Sequence, residues 1–118
     1  VRTASFRSGD TLYVVGYRTG MLSVTDGHGS WREIARGLGS PDGIDAAEQG
    51  GAFYVSDNVG GRLLLVPRIP GRPTLTLAAG LKAPADLMVD RTRGWLVVPE
   101  NDGNRLSIYR LGAGSRAP

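Results

Sequence analysis

The chain contains no cysteine, which excludes disulfides and thiolate zinc sites and leaves the redox compartment open. It has one histidine, His28, within Asp26-Gly27-His28-Gly29. That is turn composition, and it places the histidine opposite the acidic turns described below, so a Ser-His-Asp arrangement lacks its base. A single lysine, Lys82, accompanies 13 arginines spread along 118 residues, so the net charge of +3 forms no basic block. Nucleic-acid binding calls for clustered Lys/Arg with stacking aromatics, and no nucleic-acid partner is expected. No apolar run approaches the roughly 18 residues of a membrane span, and no membrane partner is expected either. There is no Gly-x-Ser-x-Gly elbow and no phosphate loop; Gly37-Leu38-Gly39 leads into a strand pattern where a dinucleotide site needs a helix. No methionine precedes Val1 and no signal pattern follows it, which reads as a processed or excised piece.

What is present is a repeat. The 18 glycines and 7 prolines recur at intervals, the spacing of many short turns. The segments 12–24, 53–65 and 96–108 align without gaps at offsets of 41 and 43 residues, and Gly37-Leu38-Gly39-Ser40-Pro41 returns as Gly80-Leu81-Lys82-Ala83-Pro84 at the second of these offsets. Each repeat holds short runs of Val, Leu, Ile and Tyr bounded by Gly, Asn, Asp or Pro, the signature of strands and turns. The first predicts strands at 2–6, 11–15, 21–25 and 31–36; the second at 43–47, 52–56, 62–66 and 74–78; the third only at 86–90, 94–98 and 105–110. The second strand of the middle repeat is apolar in both phases, with Phe53 and Val55 on one side and Tyr54 on the other. A strand covered on both faces suits a sheet packed between two neighbours.

Four antiparallel strands in just over forty residues is the blade of a β-propeller. The expected fold is therefore all-β: one partial propeller domain of about 2.75 four-stranded antiparallel blades. Its first blade covers 1–41, its second 42–84, an incomplete third 85–111, and a tail 112–118. Three blades leave two large apolar flanks and one open strand edge, which are costly in water and prone to aggregation. The chain is accordingly expected to pair with a second copy, forming a homo-oligomer, or with a complementary propeller fragment.

Pro84-Ala85-Asp86-Leu87-Met88-Val89-Asp90, Gly94-Trp95-Leu96-Val97-Val98-Pro99-Glu100 and Asn104-Arg105-Leu106-Ser107-Ile108-Tyr109 together resemble the C-terminal blade of six-bladed propellers of the senescence-marker-protein/gluconolactonase and NHL-repeat type. Pro41-Asp42-Gly43-Ile44 is similar to the turn that leads into their blades. The resemblance implies a six-bladed ring whose last blade is completed by an N-terminal strand, with this chain as half of the six-bladed propeller, its C-terminal half. For the gluconolactonase branch it also implies a divalent metal, often calcium, held by Asp, Asn and Glu at the top of the channel, and hydrolysis of lactones. Asp42 matches the position of a metal-binding and catalytic aspartate; the partner Glu and Asn ligands would lie in earlier blades.

Hairpin turns alternate ends, so the turn into strand one and the turn between strands two and three share a face. That face carries Asp42, Asp57, Asn58, Asp86, Glu100, Asn101 and Asp102 against Arg18 and Lys82, and it is acidic although the chain is basic. Oxygen side chains of this kind suit calcium or another divalent cation, and an acidic mouth concentrates cations. Asp and Asn also occur in tight turns for local reasons alone, which suffices for Asp57-Asn58 and Asn101-Asp102. Asp42 is the first candidate, catalytic and metal-binding, and Asp86 the second, although Asp86 is one residue out of register with Asp42 relative to the preceding proline. Two functions follow: a module that binds a small molecule, peptide or protein, or a metal-dependent lactone or ester hydrolase.

Overall fold

The computed structural model describes residues 4–47 and 50–112. Its strands are β1 (Ala4–Ser8), β2 (Thr11–Gly16), β3 (Met21–Thr25), β4 (Arg32–Ala35), β5 (Pro41–Ala46), β6 (Ala52–Asp57), β7 (Arg62–Pro67), β8 (Leu75–Ala78), β9 (Met88–Asp90), β10 (Trp95–Glu100) and β11 (Arg105–Arg110). They form three antiparallel meanders in chain order: β1–β4, β5–β8 and the three-stranded β9–β11. Each strand lies within two residues of its expected position, and no helix occurs among the described residues. The expected start of the first strand at Arg2 and the end of the tail beyond Gly112 lie outside the described residues.

Turn chemistry explains why the meanders repeat so closely. The residue that reverses the chain before the third strand is Gly20, then Gly61, then Asn104, all at positive φ (68°, 68° and 48°). This left-handed conformation favours glycine, and asparagine is among the few other residues that adopt it readily. Gly61 is constrained further, because a Cβ there would stand 2.6 Å from the Leu81 carbonyl oxygen. The linkers between sheets fold back over these turns: the Leu38 N–H donates to the Gly20 carbonyl and the Leu81 N–H to that of Gly61, both at 3.0 Å.

The sheets pack face to face, and strand alternation decides which side chains meet. Tyr13, Val15, Leu22 and Val24 of the first sheet bury against Ile44, Phe53, Val55, Leu64 and Val66 of the second. The other side of the second sheet, with Tyr54 and Leu63, buries against Leu87, Val89, Leu96 and Val98 of the third. Strand β6 thus feeds both cores, Phe53 and Val55 one way and Tyr54 the other. The Asp45 carboxylate stitches the second pair of sheets at their inner strands, accepting from the Val89 N–H at 2.7 Å.

Candidate functional site

Asp42 stands at an irregularity in β5. Pro41 pairs with Asp57 and Gly43 with Ser56, so Asp42 is the extra residue of a β-bulge. Bulges re-aim a side chain that would otherwise follow the strand's alternation. The next residue must be small: a Cβ on Gly43 would stand 2.8 Å from the Ala85 carbonyl oxygen and 2.9 Å from the Asp86 Cα. Pro-Asp-Gly is therefore a packing device that lets the lead-in of the third sheet lie directly on β5. It brings Asp86 close enough for its charge to act on Asp42.

The two carboxylates differ in their surroundings. Asp42 is partly buried and, among the described residues, has no hydrogen-bond or ion-pair partner. Its carboxyl is pushed above the ordinary range, first by burial and then by the negative charge of Asp86. Asp86 is exposed, and its Oδ1 accepts from the Leu87 N–H at 3.0 Å. Among the described residues no ion pair joins Arg18 or Lys82 to either carboxylate, and no third Asp, Glu or His completes a metal-ligating group with them.

Asp57 and Glu100 occupy equivalent positions at the ends of β6 and β10, and both are clasps. The Asp57 side chain is 1% exposed. Its Oδ1 accepts from the backbone N–H groups of Ser40 (2.9 Å) and Gly60 (3.1 Å), and its Oδ2 from Arg62 Nε at 2.7 Å. Burial works to raise its proton affinity, but these donors outweigh burial and hold the carboxyl below the usual range. Glu100 accepts from the Ser107 hydroxyl, from the Lys82 N–H at 2.7 Å and from Arg105 Nε at 3.1 Å. Those bonds, the serine's foremost, bring its carboxyl down to about 2 against an opposing desolvation. The extra methylene of Glu100 reaches one linker residue further back: Lys82 aligns with Gly39, whereas Asp57 takes the N–H of Ser40. Each clasp ties the linker entering a sheet to that sheet's own second hairpin.

Asn58 joins all three sheets. Its N–H donates to the Ser40 carbonyl at 2.9 Å, its Nδ2 to the Pro84 carbonyl at 3.1 Å, and its Oδ1 accepts from the Tyr17 hydroxyl at 3.4 Å. Asn101, the same position in the third sheet, donates its N–H to the Ala83 carbonyl at 3.0 Å but leaves its side chain exposed. His28 is exposed in its turn, where its N–H donates to the Asp26 carboxylate at 3.0 Å. The clasp role of Asp57 and Glu100 escaped the sequence reading. Its signal was present, since both carboxylates are followed five residues later by an arginine, Arg62 and Arg105.

No protein-family model matches the chain, and no curated protein matches it. Its fold is shared by solved structures. Selenomethionine-substituted virginiamycin B lyase from Staphylococcus aureus superposes with a TM-score of 0.67 at 13% identity, over 93% of this chain and 41% of that one. A catalytically inactive virginiamycin B lyase from the same organism, with quinupristin, gives 0.65 at 12% identity over 94% and 41%. A streptogramin B lyase gives 0.60 at 14% over 97% and 42%. The chain thus spans about two-fifths of the length of these structures. At such identities the likeness is one of fold: this is an all-β chain of propeller type, whose described residues form two four-stranded blades and one three-stranded blade.

Proposed function

We propose that the chain is a segment of a propeller ring that binds a cationic ligand at its acidic mouth, and that further blades, from a second copy or a complementary fragment, complete the ring. The observation that carries this reading is the Asp42 carboxylate: partly buried, bulged out of β5, without a partner among the described residues, and raised by burial and by Asp86. Perturbed carboxyls in concave sites are where proteins do chemistry or bind ions. Asp57 and Glu100 are already occupied by their clasps, and the Asn58 amide by the Pro84 carbonyl and the Tyr17 hydroxyl, so the ligand face narrows to Asp42 and Asp86. Two carboxylates are fewer than the six to eight oxygens calcium prefers. The residues present therefore form an incomplete calcium site, and the remaining donors would come from the rest of the ring.

A second reading is a metal-dependent lactone or ester hydrolase in a six-bladed ring of gluconolactonase or NHL type. It is favoured by the place of Asp42, whose carboxyl is raised by burial and by Asp86, at the position where the resemblance puts a catalytic aspartate.

Calorimetry with calcium tests the site. Wild type at pH 7 is expected to bind weakly, at best on the order of the millimolar affinity of sparse oxygen sites. Binding should fall as pH drops through the raised Asp42 value, and Asp42→Asn should weaken it by about tenfold, as loss of one charged ligand implies. The stability sign is opposite. A carboxyl raised on folding contributes stability that is present below its unfolded value and lost as pH rises through its folded one. Asp42→Asn should therefore unfold at the same temperature as wild type, or slightly higher, at pH 7. Unchanged calcium binding in both Asp42→Asn and Asp86→Asn would overturn the reading.

A further inference from the structure

The two outer flanks of the segment differ in chemistry. On the outer face of the third blade, Met88, Val97 and Ile108 form one cross-strand row, and Pro99 and Leu106 another. Met88, Leu106 and Ile108 are 53%, 57% and 49% exposed, large values for apolar side chains grouped on one sheet face. On the second blade the matching face, Tyr54 and Leu63 with Leu65, is covered by the aliphatic face of the blade that follows, Leu87, Val89, Leu96 and Val98. The same kind of contact joins the first blade to the second.

A second copy arranged head to tail would instead offer the outer face of blade one. Where blade two presents Ile44, Ala46, Leu64 and Val66 around Phe53 and Val55, blade one presents Ser5, Arg7, Ser23 and Thr25 around Leu12 and Val14. Setting the Arg7 guanidinium, whose Nε donates to the Gly9 carbonyl at 2.9 Å, and two serine hydroxyls against Met88, Val97 and Ile108 would take their remaining N–H and O–H groups out of water against side chains that offer no acceptor, which is unfavourable. We infer that the outer face of the third blade docks a further propeller blade presenting an aliphatic first face like that of blade two, and not the first blade of another copy. The proposal rests on reading the chain as a ring segment. It continues the interface that the chain already makes twice, and the solved propellers, more than twice as long as this chain, have room for such blades.

Trp95 lies on this face, paired across the sheet with Arg110 and Asp90, and the other tryptophan, Trp31, is 58% exposed elsewhere. In a Trp31→Phe background Trp95 therefore reports docking. Two tandem chains decide the question, one with residues 42–84 and one with residues 1–41 appended after Pro118. The first should shift Trp95 emission to the blue and protect it from acrylamide, and Leu106→Asp with Ile108→Asp should abolish the shift. The second should leave Trp95 as it is in the single chain. In the single chain the double substitution should leave thermal stability unchanged, since the face is open there. If neither tandem shifts Trp95, the ring-segment reading itself fails. The choice of partner fails if both shift it, or if the single chain shows a concentration-dependent shift that Ile108→Asp removes.

Discussion

Asp57→Ala should destabilise the chain by about 3 kcal/mol, in the range for breaking a buried charged pair. The carboxylate is 1% exposed and holds three donors. Its removal leaves the Ser40 and Gly60 N–H groups without an acceptor and strands the Arg62 guanidinium. Arg62 is itself 34% exposed, so water relieves part of its loss, and the effect belongs at the lower end of that range. The site is shaped around this group: a Cβ on Gly39 or on Gly60 would collide with the carboxylate oxygens. Asp57→Asn can keep one oxygen for the Ser40 and Gly60 N–H groups but sets an amide NH2 donor against the Arg62 Nε–H, so it loses that hydrogen bond with the charge and should cost about 2 kcal/mol, in the range of a charged hydrogen bond. Urea denaturation at pH 7 measures both. A loss below 1 kcal/mol for the alanine variant would mean that the clasp does not hold the linker, because even one unsatisfied buried donor costs about that much.

Phe53→Ala should cost about 3–5 kcal/mol, as large-to-small changes in aromatic cores do. The ring is 1% exposed and lies between the first two blades, with its centroid 4.7 Å from that of Tyr13 and 5.8 Å from that of Phe6. Both neighbours come from blade one, so the cavity opens in the seam between the blades and not within one sheet. A small domain has only about 5–15 kcal/mol in total, and a loss of this size should separate the unfolding of blade one from that of the other two. Hydrogen exchange reads this directly: amides of β2 and β3 should lose protection more than those of β10. Equal loss throughout would show that the three blades unfold as one unit whatever the seam contains.

The fold was legible because its signal is redundant. Offsets of 41 and 43 residues, glycine or asparagine at each reversing turn, and a β6 apolar in both phases all point to stacked four-stranded sheets, and the strands lie where these features put them. The acidic face was legible as a composition but not as a set of roles. Asp42, Asp57 and Glu100 are all carboxylates in or beside turns; what separates them is which backbone N–H groups and arginines lie within hydrogen-bond distance, and that depends on how the linkers fold back. The bulge at Asp42 was hidden for a related reason: the sequence shows Pro-Asp-Gly, whereas the extra residue exists only relative to the pairing of Pro41 with Asp57 and of Gly43 with Ser56. The difference between the flanks could have been read from Ser5, Arg7, Ser23 and Thr25 once the strand phases were aligned.

A pH titration of the side-chain carboxyl carbons, followed by NMR on the intact chain, bears most directly on the division of this face into clasps and a free ligand-binding carboxylate. Asp57 and Glu100 should titrate below their ordinary range, Glu100 near 2, and Asp42 above it. As carboxyls depressed on folding, the clasps give stability that is present above their unfolded values and lost as pH falls through their folded ones, so unfolding on acidification should accompany their protonation and not that of Asp42. An Asp42 that titrates at or below the ordinary carboxylate value would mean that it is held by a cationic or hydrogen-bonding partner, and would contradict its assignment as the open carboxylate of the mouth.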